Sequence, residues 1–313
     1  MHVKSQAKVN LTFDILRLLP DGYHEVSTLM QAIDLGDNLN FVIRAHQAFN
    51  VEIMLSEGKE RKQFPLDDTN LIYRAAKAFA NHVKPVGSFS LTVQVEKNIP
   101  IAAGLAGGSS NAAATLLSLN EFFGKPLSSS ALHDLAGTLG ADVPFCLSGG
   151  IAIGLGRGEI LKNLESTVDL KFVLVKPTTI ALSTPWVYKQ YDLYVAEKGF
   201  SSIRRPNLEN AVGALSFGQL DAAIEAFGNV FEPVVYAHYP ELYELKQLLA
   251  SYGCPYVQLT GSGPTIFAIT SDLETAHFVR SKVVSCVKAD KLDVFIAGSA
   301  NCGLRVGDSA HAN

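Results

Sequence analysis

The chain is poor in cysteine and tryptophan and carries no strong charge of either sign. Its four cysteines, Cys146, Cys254, Cys286 and Cys302, lie far apart, with no C-x-x-C pair and no histidine at metal-ligand spacing. A disulfide scaffold and a zinc ribbon are thereby excluded, and the cysteines read as buried thiols in a reducing compartment. A net charge of −4 argues against general affinity for nucleic acid or anionic membrane. No apolar run reaches the length of a membrane span, and the first residues lack the apolar stretch of a signal peptide, which points to the cytoplasm. Two familiar glycine motifs are missing too. No Gly-Lys-Ser/Thr ends a Walker A loop, and Gly104, Gly107 and Gly108 have the wrong spacing for a dinucleotide fingerprint. Internal repeats and low-complexity linkers are also absent.

What is present suits a globular protein. Hydrophobic residues make up 48% and charged residues 18%, enough to build cores rather than a disordered chain. At 313 residues there is room for two domains, divided near residue 156 into 1–156 and 157–313. The first half reads as β-rich to about residue 45, with Val9, Leu11, Phe13 and Ile15 alternating before a turn at Leu19-Pro20-Asp21-Gly22. Further strands are predicted over 39–43 and 49–54, and a helix over 69–82. After the segment treated next, Ser128 to Ser130 offer an N-cap for a helix reaching Leu139, which 140–145 ends. A strand over 150–155 and a turn at 156–158 follow. The second half is predicted to hold strands at 172–175, 256–260, 266–269 and a last one at 292–297. Helices are predicted near 218–227, 240–252 and 274–284, giving α+β layers.

The most informative stretch runs from Val95 to Ala114. An alternating strand (Leu91, Val93, Val95) meets Pro100, then Ile101-Ala102-Ala103-Gly104-Leu105-Ala106-Gly107-Gly108 leads into an alanine-rich helix behind Ser109 and Ser110. Three glycines, Gly104, Gly107 and Gly108, let the backbone approach a ligand, and the free N–H groups at a helix start suit an anion, usually a phosphate. Ser109 and Ser110 either cap the helix or bond the same phosphate.

Other candidates are weaker singly. Lys8 and Asn10 share one face of an early strand, which alone reads as a solvated face. Asp142, in an apolar stretch, is either a turn residue or a partly buried base awaiting a cation. Together, a Lys–Asp pair beside a phosphate loop would deprotonate an alcohol and stabilise a transferring phosphoryl group. Asp21-Gly22-Tyr23-His24 presents an aromatic and an imidazole, either as a hairpin tip with Tyr23 folded onto the core or as a clamp on a flat heterocycle. The segment from Thr184 to Tyr188 could add a second aromatic, with Trp186 itself read as packing.

In this order, Ala7-Lys8-Val9-Asn10-Leu11, then Gly104 to Ala113, then Gly261-Ser262-Gly263-Pro264 resemble the three motifs of the GHMP kinase superfamily. The Asp21–His24 turn, the Gly107-Gly108-Ser109-Ser110-Asn111 string and Gly140-Ala141-Asp142-Val143-Pro144-Phe145 are similar to the branch acting on a cytidine diphosphate polyol. The resemblance spans residues 7 to about 268. It implies an α+β fold of two domains, an N-terminal ATP-binding domain like ribosomal protein S5 and a ferredoxin-like substrate domain, with the active site in the cleft between them. It implies ATP as donor, Mg²⁺ as helper and a small-molecule acceptor, with no secure metal ligands beyond the option of a Ser109 or Ser110 hydroxyl. By the same resemblance Asp142 would take the hydroxyl proton and Lys8 would hold that charge. Asn10 and Thr184 would position the polyol, while Tyr23 and Tyr188 would sandwich the cytosine and His24 would read its edge. Gly104, Leu105, Ala106, Gly107, Gly108, Ser109 and Ser110 would wrap the ATP phosphates, Pro100, Ile101, Ala102 and Ala103 would also bind ATP, and Asn70, Leu71 and Lys97 would lie near the nucleoside. Gly261 and Gly263 would shape the floor. The chain departs from the pattern at Ala106, where glycine is commoner, and at Tyr188, where phenylalanine is also expected. Mevalonate, phosphomevalonate, homoserine or a sugar are the alternative substrates, and a sensor without catalysis is the alternative class.

Overall fold

The computed structural model describes residues 1–56, 63–83, 88–166, 168–286 and 291–307. Two long strands, β1 (His2–Leu18) and β2 (His24–Ala45), form an antiparallel hairpin whose tip is the turn at Asp21–Tyr23. Strand β3 (Asn50–Leu55) precedes helix α1 (Leu71–His82), which Asn70 caps by accepting the Ile72 N–H. Strand β4 (Phe89–Glu96) runs through the glycine-rich loop into α2 (Gly107–Phe122). Helix α3 (Ser129–Gly137) starts at the expected Ser128 cap. The segment at 140–145 does not simply end it: Asp142 opens a further short helix, α4 (Asp142–Ser148), with Pro144 tolerated in its first turn.

Strands β5 (Ile151–Leu155) and β6 (Ile160–Leu164) form a hairpin on the edge of β2, and its tip lies across residue 156. Strand β7 (Lys171–Pro177) begins the second sheet, followed by α5 (Thr184–Lys198), α6 (Leu208–Ser216), α7 (Leu220–Ala226), the two-residue β8 (Gly228–Asn229), α8 (Glu232–His238) and α9 (Pro240–Ser251). Strands β9 (Tyr256–Leu259) and β10 (Ile266–Thr270), helix α10 (Leu273–Cys286), β11 (Leu292–Gly298) and β12 (Leu304–Gly307) complete the chain. The strand at 292–298 is therefore not the last, because β12 returns to the first sheet and pairs with β1.

The first, eight-stranded sheet has the central order β12-β1-β2-β4-β3, and the second, four-stranded sheet has the order β11-β7-β10-β9. All pairings in the second sheet are antiparallel, and its order is that of a ferredoxin-like layer. Helix α2 explains the first core: its alanines are buried on every side between the first sheet and α1 and α4, so it needs no polar face. A second core lies among β7, α8, α9 and α10. A third joins the two sheets, with Ala7, Val9, Leu11, Leu29 and Ile33 of the hairpin packed against Phe172, Leu174, Phe267 and Ile269. That apolar seam fixes the cleft between the sheets, and β1 turns its alternate residues, Lys8 and Asn10, toward it.

Candidate active site

Three segments distant in sequence meet at the cleft. The Lys8 N–H donates to the carbonyl of Leu105 at 3.2 Å, so β1 holds the glycine-rich loop by its backbone. The Lys8 ammonium donates to Asn10 Oδ1 at 2.7 Å and stands 3.6 Å from Asp142 Oδ1. Asn10 is fixed in turn, because its Nδ2 donates to Thr28 Oγ1 at 2.8 Å and its N–H to Thr260 Oγ1 at 3.0 Å. Lys8 is 5% exposed and Asn10 2%, which overturns the reading of that face as solvated. The pair is buried because the third motif closes over it: a Cβ added to Gly261 would lie 3.0 Å from Asn10 Oδ1 and 3.8 Å from Lys8 Nζ.

The loop between β4 and α2 is shaped by left-handed residues. Ala102, Gly104 and Ala106 have φ of +51°, +74° and +58°. Such steps make a concave run of backbone N–H groups that suits an anion. Ala106 occupies the N-cap of α2 with no side-chain cap bond, so the first N–H groups of the helix are left to a ligand. A Cβ on Gly104 would fall 2.8 Å from the Thr260 carbonyl oxygen and 2.9 Å from that of Gly263, so the glycine loops of the second and third motifs touch backbone to backbone. The peptide between Gly263 and Pro264 is cis.

Neither serine caps α2. Ser110 is fully buried and its hydroxyl donates to the Gln6 carbonyl at 2.7 Å, while Ser109 lines the cavity. Behind the loop, Asp37 accepts the Asn98 and Ile99 N–H groups at 2.8 Å each and the Lys97 ammonium at 2.7 Å, and Lys97 also donates to the Ile99 carbonyl. This ion pair, 5% and 0% exposed, pins the entry of the loop.

Two cavities open from here. The first, of about 540 Å³, is lined by Lys8, Asp142, Asn70, Lys97 and the loop from Pro100 to Ser109. The second, of about 660 Å³, is lined by Tyr23, His24, Tyr188, Lys189 and Asp192. His24 and Tyr188 have ring centroids 4.9 Å apart, and His24 Nε2 lies 2.8 Å from Asp192 Oδ1. Burial, with the Asp142 charge adding to it, pushes the Tyr188 phenol well above its ordinary range, so it remains a neutral donor. Tyr23 is 56% exposed, with the Arg157 guanidinium 3.8 Å from its ring centroid. It is not folded onto the core. The Tyr23 N–H on Asp21 holds that carboxyl below its usual range, with Arg157 adding to the effect.

Residues 70–150 match the family described as GHMP kinases N terminal domain, and residues 208–289 match GHMP kinases C terminal. The chain belongs to the GHMP kinase family. A 4-diphosphocytidyl-2-C-methyl-D-erythritol kinase of Gloeothece citriformis is 35% identical over 96% of both chains. One of Exiguobacterium sibiricum is 40% identical over 86% of this chain and 88% of its own. A crystal structure of 4-(cytidine 5'-diphospho)-2C-methyl-D-erythritol kinase superposes with a TM-score of 0.73 at 28% identity, covering 96% of this chain and all (100%) of the other.

Most sequence-predicted residues of this GHMP kinase lie at the two cavities. Gly263 and Ser110 are exceptions: a Cβ on Gly263 would meet Leu259 Cδ1 at 2.7 Å, and neither residue lines either cavity. Asn70 and Leu71 line the first, though the Asn70 side chain is committed to the cap of α1 and to the Pro65 carbonyl. Thr184 stands at the junction, its hydroxyl 3.0 Å from that of Ser262. Trp186 packs edge-on to His238 and Tyr239, as expected of it. The cysteines are not uniformly buried, since Cys286 is exposed and Cys302 half-buried. Asp37, Arg157 and Asp192 were missed, because their partners Lys97, Tyr23 and His24 lie far away in sequence. The start of α5 did carry a signal, Pro185 in its first turn.

Proposed function

We propose that this GHMP kinase transfers the γ-phosphoryl group of ATP to the 2-hydroxyl of 4-diphosphocytidyl-2-C-methyl-D-erythritol, in the non-mevalonate route to isoprenoid precursors. The observation that carries this reading is the pair of adjoining cavities, one with a phosphate loop and the Lys8–Asp142 pair, the other rimmed by Tyr23, His24 and Tyr188. The names of the relatives supply the same substrate.

In this reading the loop from Pro100 to Ser109 cradles the ATP phosphates, and Lys97, Asn70 and Leu71 border the nucleoside. Asp142 accepts the hydroxyl proton as oxygen attacks phosphorus, and ADP leaves. Lys8, held by Asn10 and 3.6 Å from Asp142, offsets charge on the transferring group. Asn10 and Thr184 bound the polyol; Gly261 and Gly263 give the third loop its close fit. Tyr23 and Tyr188 would flank the cytosine and His24, held by Asp192, would read its edge. Among the described residues no cluster of three or more His, Cys, Asp or Glu side chains could hold a metal ion. A Mg²⁺ would then be carried mainly by the nucleotide phosphates, with the Ser109 hydroxyl, which lines the cavity, as the protein group that would join it, and would supply neutralisation of phosphate charge. Residues 1–156 would serve ATP and 157–313 the acceptor, with Tyr23 and His24 crossing over and β6 and β12 returning to the first sheet. Among the described residues no helix is long and apolar enough to cross a membrane, and the enzyme is read as cytoplasmic.

The test is ATP turnover with Mg²⁺ on the cytidine compound, mevalonate, homoserine and galactose. ADP release with the cytidine compound alone is expected. Turnover with another alcohol would keep the phosphate loop and remove the base-side roles, and no turnover would turn the reading toward a sensor.

A further inference from the structure

Among the described residues only four line both cavities: Ala141, Arg157, Thr184 and Tyr188. Of these Arg157 alone is charged. It stands at the tip of the β5–β6 hairpin, where the Gly158 N–H closes the turn on the Leu155 carbonyl at 2.9 Å. Gly158 sits against the Asp142 segment, with a Cβ there 3.9 Å from Ala141 Cβ. The guanidinium carbon lies 3.8 Å from the Tyr23 ring centroid and Nη2 donates to Asp21, while the Arg157 backbone N–H donates to Glu159 Oε2 at 2.7 Å. An arginine has five donors in a fixed fork, so that arrangement leaves donors over.

Resting on the reading above, an acceptor with its base in the second cavity and its hydroxyl at Asp142 must thread its anionic linker between those four residues. We propose that Arg157 is the residue that binds this diphosphate linker, and so makes the enzyme select a phosphate-bridged nucleoside over a bare one. The other cations of the cavities are placed differently: Lys8 and Lys97 line only the first and Lys189 only the second. Asp21 and Glu159 do not cancel the site. Asp21 occupies one end of the fork and Glu159 bonds the backbone, so both orient Arg157.

Calorimetric binding of CDP and of cytidine to wild type, Arg157→Gln and Arg157→Lys tests this, with melting temperatures to verify folding. Arg157→Gln should weaken CDP by roughly 10- to 100-fold, the range for a charge-assisted hydrogen bond, and leave cytidine little changed. Arg157→Lys should recover part of that loss. The KM for the diphosphocytidyl alcohol should rise in parallel, with the KM for ATP unmoved. Equal loss of CDP and cytidine would mean that Arg157 acts only by steadying Tyr23, and would overturn the proposal, as would unchanged CDP binding. A wild type that binds CDP no more tightly than cytidine would overturn it too. Arg157-dependent CDP binding without turnover would instead leave this assignment standing and fell the proposed reaction.

Discussion

The two cavities are built from different materials. The phosphate-loop cavity is made of backbone and of side chains already bonded to one another: Lys8 to Asn10, Asn10 to Thr28, Lys97 to Asp37. The neighbouring cavity is rimmed by side chains on hairpin tips and helix starts, among them Tyr23, Arg157, Tyr188 and Lys189, several of them exposed. Charges that must act on a reacting centre gain from a fixed, partly dry setting, whereas recognition of a flat ring needs surfaces that can be traded. In the proposed reaction the chemistry would sit in the scaffold and the selectivity on its edges.

Substitutions should separate the two regions. Asp142→Asn is expected to lower turnover by about 10²- to 10⁴-fold, the usual contribution of a general base, with nucleotide binding nearly unchanged. Steady-state rates beside ATP titration would show this, and normal turnover would remove Asp142 from the role. Asp37→Ala should cost about 3–5 kcal/mol of stability, because Lys97 loses its buried carboxylate and two loop N–H groups lose their acceptor. Denaturant unfolding measures it; a loss below about 1 kcal/mol would mean that the ion pair does not pin the loop.

On the other side, Tyr188→Ala should weaken binding of the cytidine compound by about 1–3 kcal/mol, the worth of a base–aromatic stack, while ATP binding stays constant. A parallel fall in ATP affinity would erase the distinction between the cavities. The smallest effect belongs to Ala106→Gly. Relief of the left-handed residue at φ +58° is offset by the greater unfolded freedom of glycine, so stability should move by less than about 1 kcal/mol in a melting experiment. A larger loss would give the Ala106 methyl a packing role.

How far the sequence shows this site follows from the range of the forces involved. Local signals were readable: Ser128 caps its helix, and the glycine loop announces itself through residues with little choice of conformation. Lys8 looked solvated because alternation reports which residues share a face, not what later covers that face. Its cover arrives with Gly261, some 250 residues on, at the approach that the third motif makes to Asn10. Asp37 lay hidden for the same reason, since its partners are 60 to 62 positions away. The strand pairing of β12 with β1 joins the two ends of the described chain, which no periodicity could signal. Helix α5 has little contrast between its faces, with Val187 and Tyr191 its buried residues, and only Pro185 marked its start.

The most direct test of the two-cavity account is steady-state inhibition by CDP, varied against each substrate in turn. The account predicts that CDP competes with the cytidine-bearing alcohol and does not compete with ATP. Competition with ATP would place the base in the phosphate-loop cavity and contradict the division of labour on which the proposed reaction stands.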